Sequence, residues 1–177
     1  MKATGIVRRI DDLGRVVIPK EIRKTMCIRR GAQLEIFTDG DGGVIFKKYS
    51  PLEEYSRTAS GFADTLARIT SGSIAFCDRE RIVAASTRRR RELVGKPVSE
   101  ELSNAMDSRE TLHSPVPTLR EKSNSKCVLA VPVFANSEVI GCATLMRDDD
   151  NADEKVSESD EKTLAAAAAL LGLQFEE

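Results

Sequence analysis

The sequence has no tryptophan, a single histidine and few aromatic residues. Its 177 residues are 5% aromatic and 41% hydrophobic, so any core is built mainly from aliphatic side chains. No run of about 18 consecutive apolar residues occurs, and an Arg-Arg pair rather than an apolar segment follows the first residues. The sequence therefore predicts neither a membrane span nor a secretory signal, and we expect a cytoplasmic protein.

Cysteine and histidine are too sparse and too scattered for a metal site. The four cysteines, at positions 27, 77, 127 and 142, form no C-x-x-C pair, and we expect buried free thiols rather than zinc ligands or disulfides. The only histidine, His113, follows Leu112 in a Ser-Pro-Val-Pro context that predicts an exposed loop. We therefore expect no metal, no cofactor and no histidine-dependent catalysis.

Charge is distributed unevenly along the chain, although the net charge is only −1. Residues 1–50 carry 11 basic and 6 acidic side chains, a difference of +5, and the remaining 127 residues carry 16 and 22, a difference of −6. We call residues 1–50 the head and the rest the body. A basic head joined to an acidic body suggests a head that binds a polyanion.

The sequence of the head predicts several short strands and one short helix. Alternation and β-branched residues predict strands over Thr4–Ile10 and Arg15–Ile18, and Pro19 starts a helix over Lys20–Met26. An acidic, glycine-rich turn predicts a hairpin of Gln33–Thr38 with Val44–Lys48. A unit this small, without metal or disulfides, usually needs a partner chain, so we expect the head to self-associate.

These head residues resemble the AbrB-type swapped-hairpin DNA-binding domain. The match is closest from Thr4 to Pro19, TGIVRRIDDLGRVVIP, and continues through Glu21–Thr25, Leu34–Phe37 and Ile45–Tyr49. The resemblance implies that two chains interleave their hairpins into one mainly-β dimer that binds double-stranded DNA. It implies that the DNA-contacting residues are Arg8, Arg9, Arg15, Arg23 and Lys24.

Two apolar seams flank the body. After a break at Ser50-Pro51, a connecting helix is predicted over residues 51–70, with Leu52, Tyr55, Ala59, Phe62, Leu66 and Ile69 at spacings of three and four. Leu164, Ala168, Leu171 and Phe175 repeat in the same way near the other end. Each seam could pack on its own sheet, or the helices at 52–69 and 159–175 could also meet their copies. We favour the second alternative, which predicts a homotetramer built from head dimers.

Residues 71–177 alternate strands and helices in the order of an α/β sensor fold with an antiparallel sheet. Together with Val131-Pro132-Val133 and Val139-Ile140-Gly141, this order resembles a GAF domain flanked by N- and C-terminal helices. The resemblance implies an unidentified small-molecule effector or a platform for oligomerisation. The residue signature of cyclic-nucleotide-binding members is absent, so no ligand-binding residue is assigned.

Two charged runs in the body allow two interpretations each. Arg88-Arg89-Arg90-Arg91 could be a second DNA contact or anion site, but a solvated helix end is favoured. The acidic residues from Asp148 to Glu154 could suggest a cation site, but successive carboxylates without a fixed turn rarely coordinate one ion, and a flexible acidic loop is favoured.

We therefore predict a sequence-selective DNA-binding transcription regulator, cytoplasmic and associated with the nucleoid, whose GAF-like body modulates binding or assembly. One alternative is an antitoxin that uses the same kind of head, although a long globular body argues against it. Another is a ligand-binding scaffold without direct gene regulation. An enzyme is not expected, because the sequence offers no glycine-rich phosphate loop, metal cluster or activated nucleophile.

Overall fold

The computed structural model of the chain describes residues 4–26, 28, 31–88, 90–120 and 125–175, except for the side chains of Ser125 and Asp149. Cys27 and Arg89 lie outside the described residues. The chain forms two compact units, Met1–Tyr49 and Ser50–Glu177. Their boundary coincides with the Ser50-Pro51 segment that the sequence marks as a break.

The head contains one helix and one hairpin. Helix α1 spans Lys20–Thr25, and strands β1 (Leu34–Thr38) and β2 (Val44–Lys48) pair in antiparallel register with Ile36 opposite Phe46. The Asp39 carboxylate closes the connecting turn by accepting hydrogen bonds from the backbone N–H groups of Asp41 and Gly43. The helix and the hairpin predicted from the sequence are both present, because their signals are local.

The two strands predicted at Thr4–Ile10 and Arg15–Ile18 do not form in the single chain. The turn between them does form, with Gly14 at φ +74° donating its N–H to the Asp11 carbonyl at 2.9 Å. Within the described residues, the flanking segments belong to no β-ladder. A strand is stable only when its N–H and C=O groups are paired, and this chain supplies no neighbouring strand for these segments.

The body is built on a five-stranded antiparallel sheet with the order β4-β3-β7-β6-β5. Helices lie before, between and after its strands. In chain order the elements are α2 (Pro51–Glu54), α3 (Ser56–Leu66), β3 (Ser73–Asp78), β4 (Ile82–Ala85), α4 (Arg90–Leu93), α5 (Glu100–Ala105), β5 (Leu112–His113), β6 (Ser125–Ala135), β7 (Glu138–Asp148) and α6 (Glu158–Gly172).

Three local predictions for the body differ from the structure. The connecting helix is broken at Tyr55 into α2 and α3, because the Tyr55 ring packs edge-on against the Phe175 ring at a centroid distance of 4.5 Å. Asp149–Asn151, expected in a flexible acidic loop, forms a 3-10 turn. His113 is exposed, as expected, but it lies in the edge strand β5, opposite Leu129, rather than in a loop.

Both apolar seams pack on the sheet of their own chain, except for Ile69, which the sequence placed in the first seam and which is exposed because it lies beyond the end of α3. Leu52, Ala59 and Leu66 from the first seam are buried in the same core as Leu164 and Leu171 from the second, against one face of the sheet. Of the two alternatives drawn from the sequence, the one in which each seam packs on its own sheet therefore describes these side chains. Any contact between copies must use other residues of these helices.

A buried charged network ties the start of α6 to the sheet. The Asp160 carboxylate accepts hydrogen bonds from the Ser71 hydroxyl at 2.6 Å and from the Ser71 N–H at 3.2 Å, and Arg147 lies 3.8 Å away. The Ser157 hydroxyl caps the helix by accepting the Asp160 N–H. Burial raises the pKa of Asp160, but the hydrogen bonds and Arg147 outweigh it, so the pKa lies below its usual value.

Candidate nucleic-acid interface

Helix α1 presents a group of basic side chains in one turn. Arg23 and Lys24 are exposed and lie in its last turn, where cations interact favourably with the helix dipole. Lys20 precedes them by three and four residues, so all three side chains share a face of the helix. The sequence assigned Arg23 and Lys24 to DNA binding but not Lys20, although the helical spacing was a signal that could have included it.

Arg15 is held in place by the turn that precedes it. Its Nε donates to the Asp11 Oδ2 at 2.8 Å, and its backbone N–H donates to the Asp11 Oδ1 at 2.8 Å. These two bonds, the backbone bond first, hold the pKa of Asp11 below its usual value. The guanidinium is still exposed, so its remaining N–H groups can reach a second anion.

Arg8 and Arg9 are exposed on the segment before this turn. The five predicted contact residues therefore occupy three local structures of one chain: the N-terminal segment, the turn and α1. Lys47 on β2 adds a cation that the sequence did not single out, and its ammonium lies 4.4 Å from the centre of the Phe37 ring.

Exposed apolar side chains surround these basic residues. Val7 is 88% exposed and Leu13 is 75% exposed, and Ile10 and Val17 are similar. Within the described part of the head, no residue is buried. A monomeric domain rarely leaves so much apolar surface in water, so this surface is typical of an interface with another chain.

The body has a second distinctive region, on the sheet face opposite α3 and α6. Cys77, Cys127 and Cys142 lie there as buried free thiols, and the Sγ atoms of Cys77 and Cys142 are 3.3 Å apart on paired strands. Burial raises the pKa of Cys127 to about 12, which keeps it a thiol. Side chains from α5 and the following segment cover this face, including Leu102, Met106 and Leu119.

Family models match almost the whole chain. Residues 54–176 match the model described as "Stage V sporulation protein T C-terminal, transcription factor". Over 184 aligned residues the chain is 42% identical to stage V sporulation protein T of Bacillus subtilis (strain 168), and the match covers all of both chains. The chain belongs to the stage V sporulation protein T family. It is therefore a member of a family of sporulation transcription factors, as the AbrB-like head and GAF-like body led us to expect.

The two units also resemble proteins outside the stage V sporulation protein T family. Residues 7–53 match the model "Antidote-toxin recognition MazE, bacterial antitoxin". The head is 57% identical over 51 residues to the transition state regulatory protein AbrB of Bacillus subtilis (strain 168), covering 29% of this chain and 52% of AbrB. The solution structure of the N-terminal DNA recognition domain of Bacillus subtilis AbrB matches with 57% identity and a TM-score of 0.26, covering 29% of this chain and 94% of that domain.

For the body, the GAF domain/HD domain protein of Geobacter sulfurreducens gives a TM-score of 0.50 at 15% identity. The match covers 72% of this chain and 95% of that structure, and it supports the GAF fold of the body. Among the described residues, no helix is both long and apolar enough to span a membrane. The same residues contain no group of three His, Cys, Asp or Glu side chains arranged to hold a metal ion.

Proposed function

We propose that the protein regulates transcription from the cytoplasm, associated with the nucleoid, by binding double-stranded DNA as a homodimer of its head. One observation carries this proposal: the head combines five exposed basic residues with an apolar surface that a single chain leaves uncovered. The exposed basic residues suit the binding of a polyanion, and the uncovered apolar surface requires a second chain to bury it. AbrB, whose N-terminal domain is a DNA recognition domain, is similar in this region.

Interleaving of two heads would complete the strands that one chain leaves unpaired. The segments 4–10 and 15–18 have the alternation of strands but no ladder partner among the described residues. Pairing with the equivalent segments of a second chain would satisfy their backbone groups and cover side chains such as Ile10 and Val17. The dimer would then carry two copies of each basic residue.

Phosphate contacts would supply most of the affinity. If the ten copies of Arg8, Arg9, Arg15, Arg23 and Lys24 neutralise about eight phosphates, the logarithm of the binding constant should fall with the logarithm of salt concentration at a slope near ~−7. Arginine forks can also reach guanine edges in the major groove. The head has only three aromatic residues, Phe37, Phe46 and Tyr49, so stacking on single strands is not expected to contribute.

Arg8 and Arg9 cannot both face the same DNA surface once the N-terminal segment is a strand. Successive side chains of a strand point to opposite faces, so Ile6, Arg8 and Ile10 share one face and Val7 and Arg9 share the other. We therefore expect Arg8→Ala and Arg9→Ala to weaken DNA binding by clearly different factors. Equal losses would contradict the strand geometry.

In the body, the outward face of α6 would join head dimers into a tetramer. From position 165 to the end of α6 its exposed residues are all small or apolar, namely Ala165, Ala166, Ala169 and Leu170, and the exposed Leu173 follows directly after the helix. Small side chains let two helices approach closely, and leucines supply apolar area to bury. Leu170→Arg should convert tetramers into dimers in light scattering after size exclusion, whereas Glu101→Arg on α5 should not. Unchanged tetramers in the Leu170 variant would move the contact elsewhere.

An effector of the GAF-like body would have to enter the layer between the sheet and α5. This layer is filled by aliphatic and sulfur-containing side chains, and its buried hydroxyls are already used: Ser103 donates to the Arg79 carbonyl, and Ser99 donates to the Thr118 carbonyl. A ligand here would therefore be small and mainly apolar, and it would displace Met106 or its neighbours. A thermal shift with such compounds, lost in Met106→Trp, would identify one.

The head's match to an antitoxin model leaves one alternative function, the neutralisation of a toxin. That function would place toxin contacts in the segment after the head, but here that segment folds onto a sheet as α2 and α3. We therefore propose regulation without enzymatic activity as the function of the whole chain. Co-purification of a stoichiometric toxin would favour the alternative.

The test is fluorescence anisotropy of the full-length protein with an AT-rich promoter duplex at several salt concentrations. Wild-type protein should bind tightly and with a steep salt dependence, and Arg23→Ala with Lys24→Ala should lose most of the affinity. Lys155→Ala with Lys162→Ala removes the same charge from exposed positions of the body and serves as the control. Equal loss in both double variants would indicate a net-charge effect, and absence of wild-type binding at low salt would refute the proposal.

A further inference from the structure

A second group of arginines lies on the body, where α4 meets α3. Arg90 joins the two helices: its Nη2 donates to the Ser60 hydroxyl at 2.6 Å, and its Nη1 lies 3.4 Å from the Asp64 carboxylate. This contact brings Arg90, and with it the start of α4, beside the middle of α3. The link spans 26 to 30 residues of sequence, so no local pattern indicates it.

Two more arginines lie on α3 or directly after it. Arg57 lies in α3 three residues before Ser60, so helical spacing aligns it with the residues that contact Arg90. Arg68 lies in the turn that follows α3, four residues after Asp64. We call this group the α3–α4 arginine surface; its described members are Arg57, Arg68, Arg88, Arg90 and Arg91. All of them except the half-buried Arg90 are exposed.

Within the described part of the chain, most of this positive charge is not neutralised. Of the five described arginines, Arg90 is the one that forms an ion pair with a described residue, and its partner is a single carboxylate. Residues 56–68 and 86–92 together contain six arginines against Asp64 and Glu92, a difference of +4. The body as a whole has a net charge of −6, so this surface is positive although the unit that carries it is negative.

The residues between the arginines are small and polar rather than apolar. Ser60, Gly61 and Thr65 lie between Arg57 and Arg68 on α3, and Ser86 and Thr87 precede Arg88. A protein-protein interface is expected to have an apolar centre, whereas phosphate groups are bound by arginines together with hydroxyls and backbone N–H groups. The composition of the surface therefore fits a polyphosphate backbone better than a protein partner.

We propose that the α3–α4 arginine surface binds the phosphates of double-stranded DNA as a second contact, separate from the head. This inference rests on the proposed function of the head, since it assumes that the protein works on DNA. Arg57 and Leu66, the last residue of α3, are roughly 14 Å apart at 1.5 Å per residue, and Arg68 follows Leu66 by two residues. Each DNA strand has one phosphate per ~3.4 Å of helix axis, so about four phosphates of one strand fall within that length. The contact would add affinity without adding sequence selectivity.

The experiment measures DNA binding by the full-length protein as a function of salt concentration, using a promoter duplex and a shuffled duplex of equal length. Two double variants each remove two of its five described arginines: Arg57→Gln with Arg68→Gln, and Arg88→Gln with Arg91→Gln. Arg90 is left in place because it holds α4 against α3. Each lost phosphate contact should make the salt slope shallower by about 0.9, on both duplexes alike.

Two controls separate a phosphate contact from other effects. Lys155→Gln with Lys162→Gln removes the same charge from other exposed positions and should leave the slope at its wild-type value. Arg88→Lys with Arg91→Lys keeps the charge and should restore most of the slope. Wild-type slopes in both arginine double variants would overturn the proposal. Weaker DNA binding that only follows dissociation of the oligomer would also overturn it, because the surface would then bind an acidic segment of a second copy.

Failure of this inference can be told apart from failure of the head as a DNA-binding unit. If Arg23→Ala with Lys24→Ala abolishes binding and the body variants do not change the slope, the head binds DNA and the second contact is wrong. If the wild-type protein does not bind duplex DNA at low salt, both proposals are wrong. Shallower slopes in both body variants, with affinity for the promoter still exceeding that for the shuffled duplex, support both.

Discussion

The head and the body differ most in what one chain can bury. In the body, large side chains such as Phe76, Leu129 and Leu145 are fully enclosed between the sheet and its helices. In the described part of the head, no side chain is buried, although it contains large apolar residues such as Ile10, Leu13 and Val17. The body is therefore a complete folding unit in one chain, whereas the head is half of one.

Because of this difference, the same apolar periodicity in the sequence has different structural outcomes in the two units. In the body, apolar periodicity leads to a core that the same chain closes. In the head, the same periodicity in residues 4–10 and 15–18 leads to exposed side chains, because the surface that covers them belongs to another molecule. We therefore expect the head to respond to dilution and to interface mutations, and the body core to respond to changes in its own packing.

The largest expected effect comes from placing an amide on the uncovered apolar surface. Val17 in the head is 72% exposed and Ile69 in the body is 67% exposed, so a single chain offers no reason to distinguish them. If a second chain covers Val17, Val17→Asn buries an unpaired amide twice per dimer and should destabilise the head by about 2–6 kcal/mol per dimer. DNA binding should be lost with it.

Ile69→Asn is the matched control and should change stability by about 0.5 kcal/mol or less. Differential scanning calorimetry at two protein concentrations measures both variants, and the head transition of the wild type should move to higher temperature as the concentration rises. Equal tolerance of the two substitutions would mean that the head is stable without a partner chain.

The second prediction concerns the buried charge of the body. Asp160→Asn removes the negative charge that lies between Ser71 and Arg147 and should cost about 3 kcal/mol of unfolding free energy at pH 7. The folded-state pKa of Asp160 is below its unfolded value, so the charge stabilises the fold at pH values above about 4, and this contribution is lost as the pH falls through the folded-state pKa.

Urea unfolding across a pH series tests this dependence. The difference in unfolding free energy between the wild type and Asp160→Asn should shrink as the pH is lowered from 7 towards 3. A constant difference would mean that the substitution acts through packing rather than charge. Ser159→Asn, on the neighbouring exposed position of α6, should leave the pH profile unchanged.

Two glycines of the body allow a closely packed backbone position to be compared with one that has free space around it. A Cβ atom at Gly172 would lie 2.0 Å from the Phe134 carbonyl oxygen, whereas a Cβ atom at Gly61 meets nothing within 4 Å. Gly172→Ala should therefore destabilise the body by about 2 kcal/mol, since the backbone of β6 must move. Gly61→Ala should stabilise α3 by up to about 1 kcal/mol through helix propensity. Thermal melts of both variants check the signs, and a stabilising Gly172→Ala would contradict the packing of α6 on β6.

Much of this fold could be predicted from the sequence where the signal is local. The β1–β2 hairpin follows from its glycine-rich turn, and α6 follows from the spacing of Leu164, Ala168 and Leu171. The break at Tyr55 could not be predicted, because the ring that Tyr55 packs against belongs to Phe175, 120 positions later in the chain. The edge strand at His113 likewise depends on β6, which pairs with it.

The same distinction between local signals and long-range contacts applies to the candidate site. The basic residues of the head were predicted from a resemblance that depends on a contiguous segment. The grouping of Arg57 and Arg68 with the Arg88–Arg91 run could not be predicted, because it depends on the long-range contact of Arg90 with Ser60 and Asp64. In both units, the residue types were visible in the sequence, and their grouping was visible only where it was local.

The smallest predicted effect lies in a part of the head that a single chain completes, the turn at Asp11. The backbone N–H of Arg15, its side chain and the N–H of Leu13 all donate to the Asp11 carboxylate and hold its pKa below the usual value. Arg15→Ala removes only the side-chain bond, so the pKa of Asp11 should rise but stay below that of an unperturbed aspartate. Carboxyl NMR titration measures this directly.

The same titration reports on DNA binding. If the Arg15 guanidinium leaves Asp11 to contact a phosphate, adding duplex DNA to the wild-type protein should raise the pKa of Asp11 towards the value found in Arg15→Ala, beyond any rise that DNA causes in that variant. The phosphates themselves also raise carboxyl pKa values, and Arg15→Ala with DNA measures that contribution alone. Equal DNA-induced shifts in the two proteins would mean that Arg15 keeps its bond to Asp11, and that it acts by ordering the turn rather than by contacting DNA.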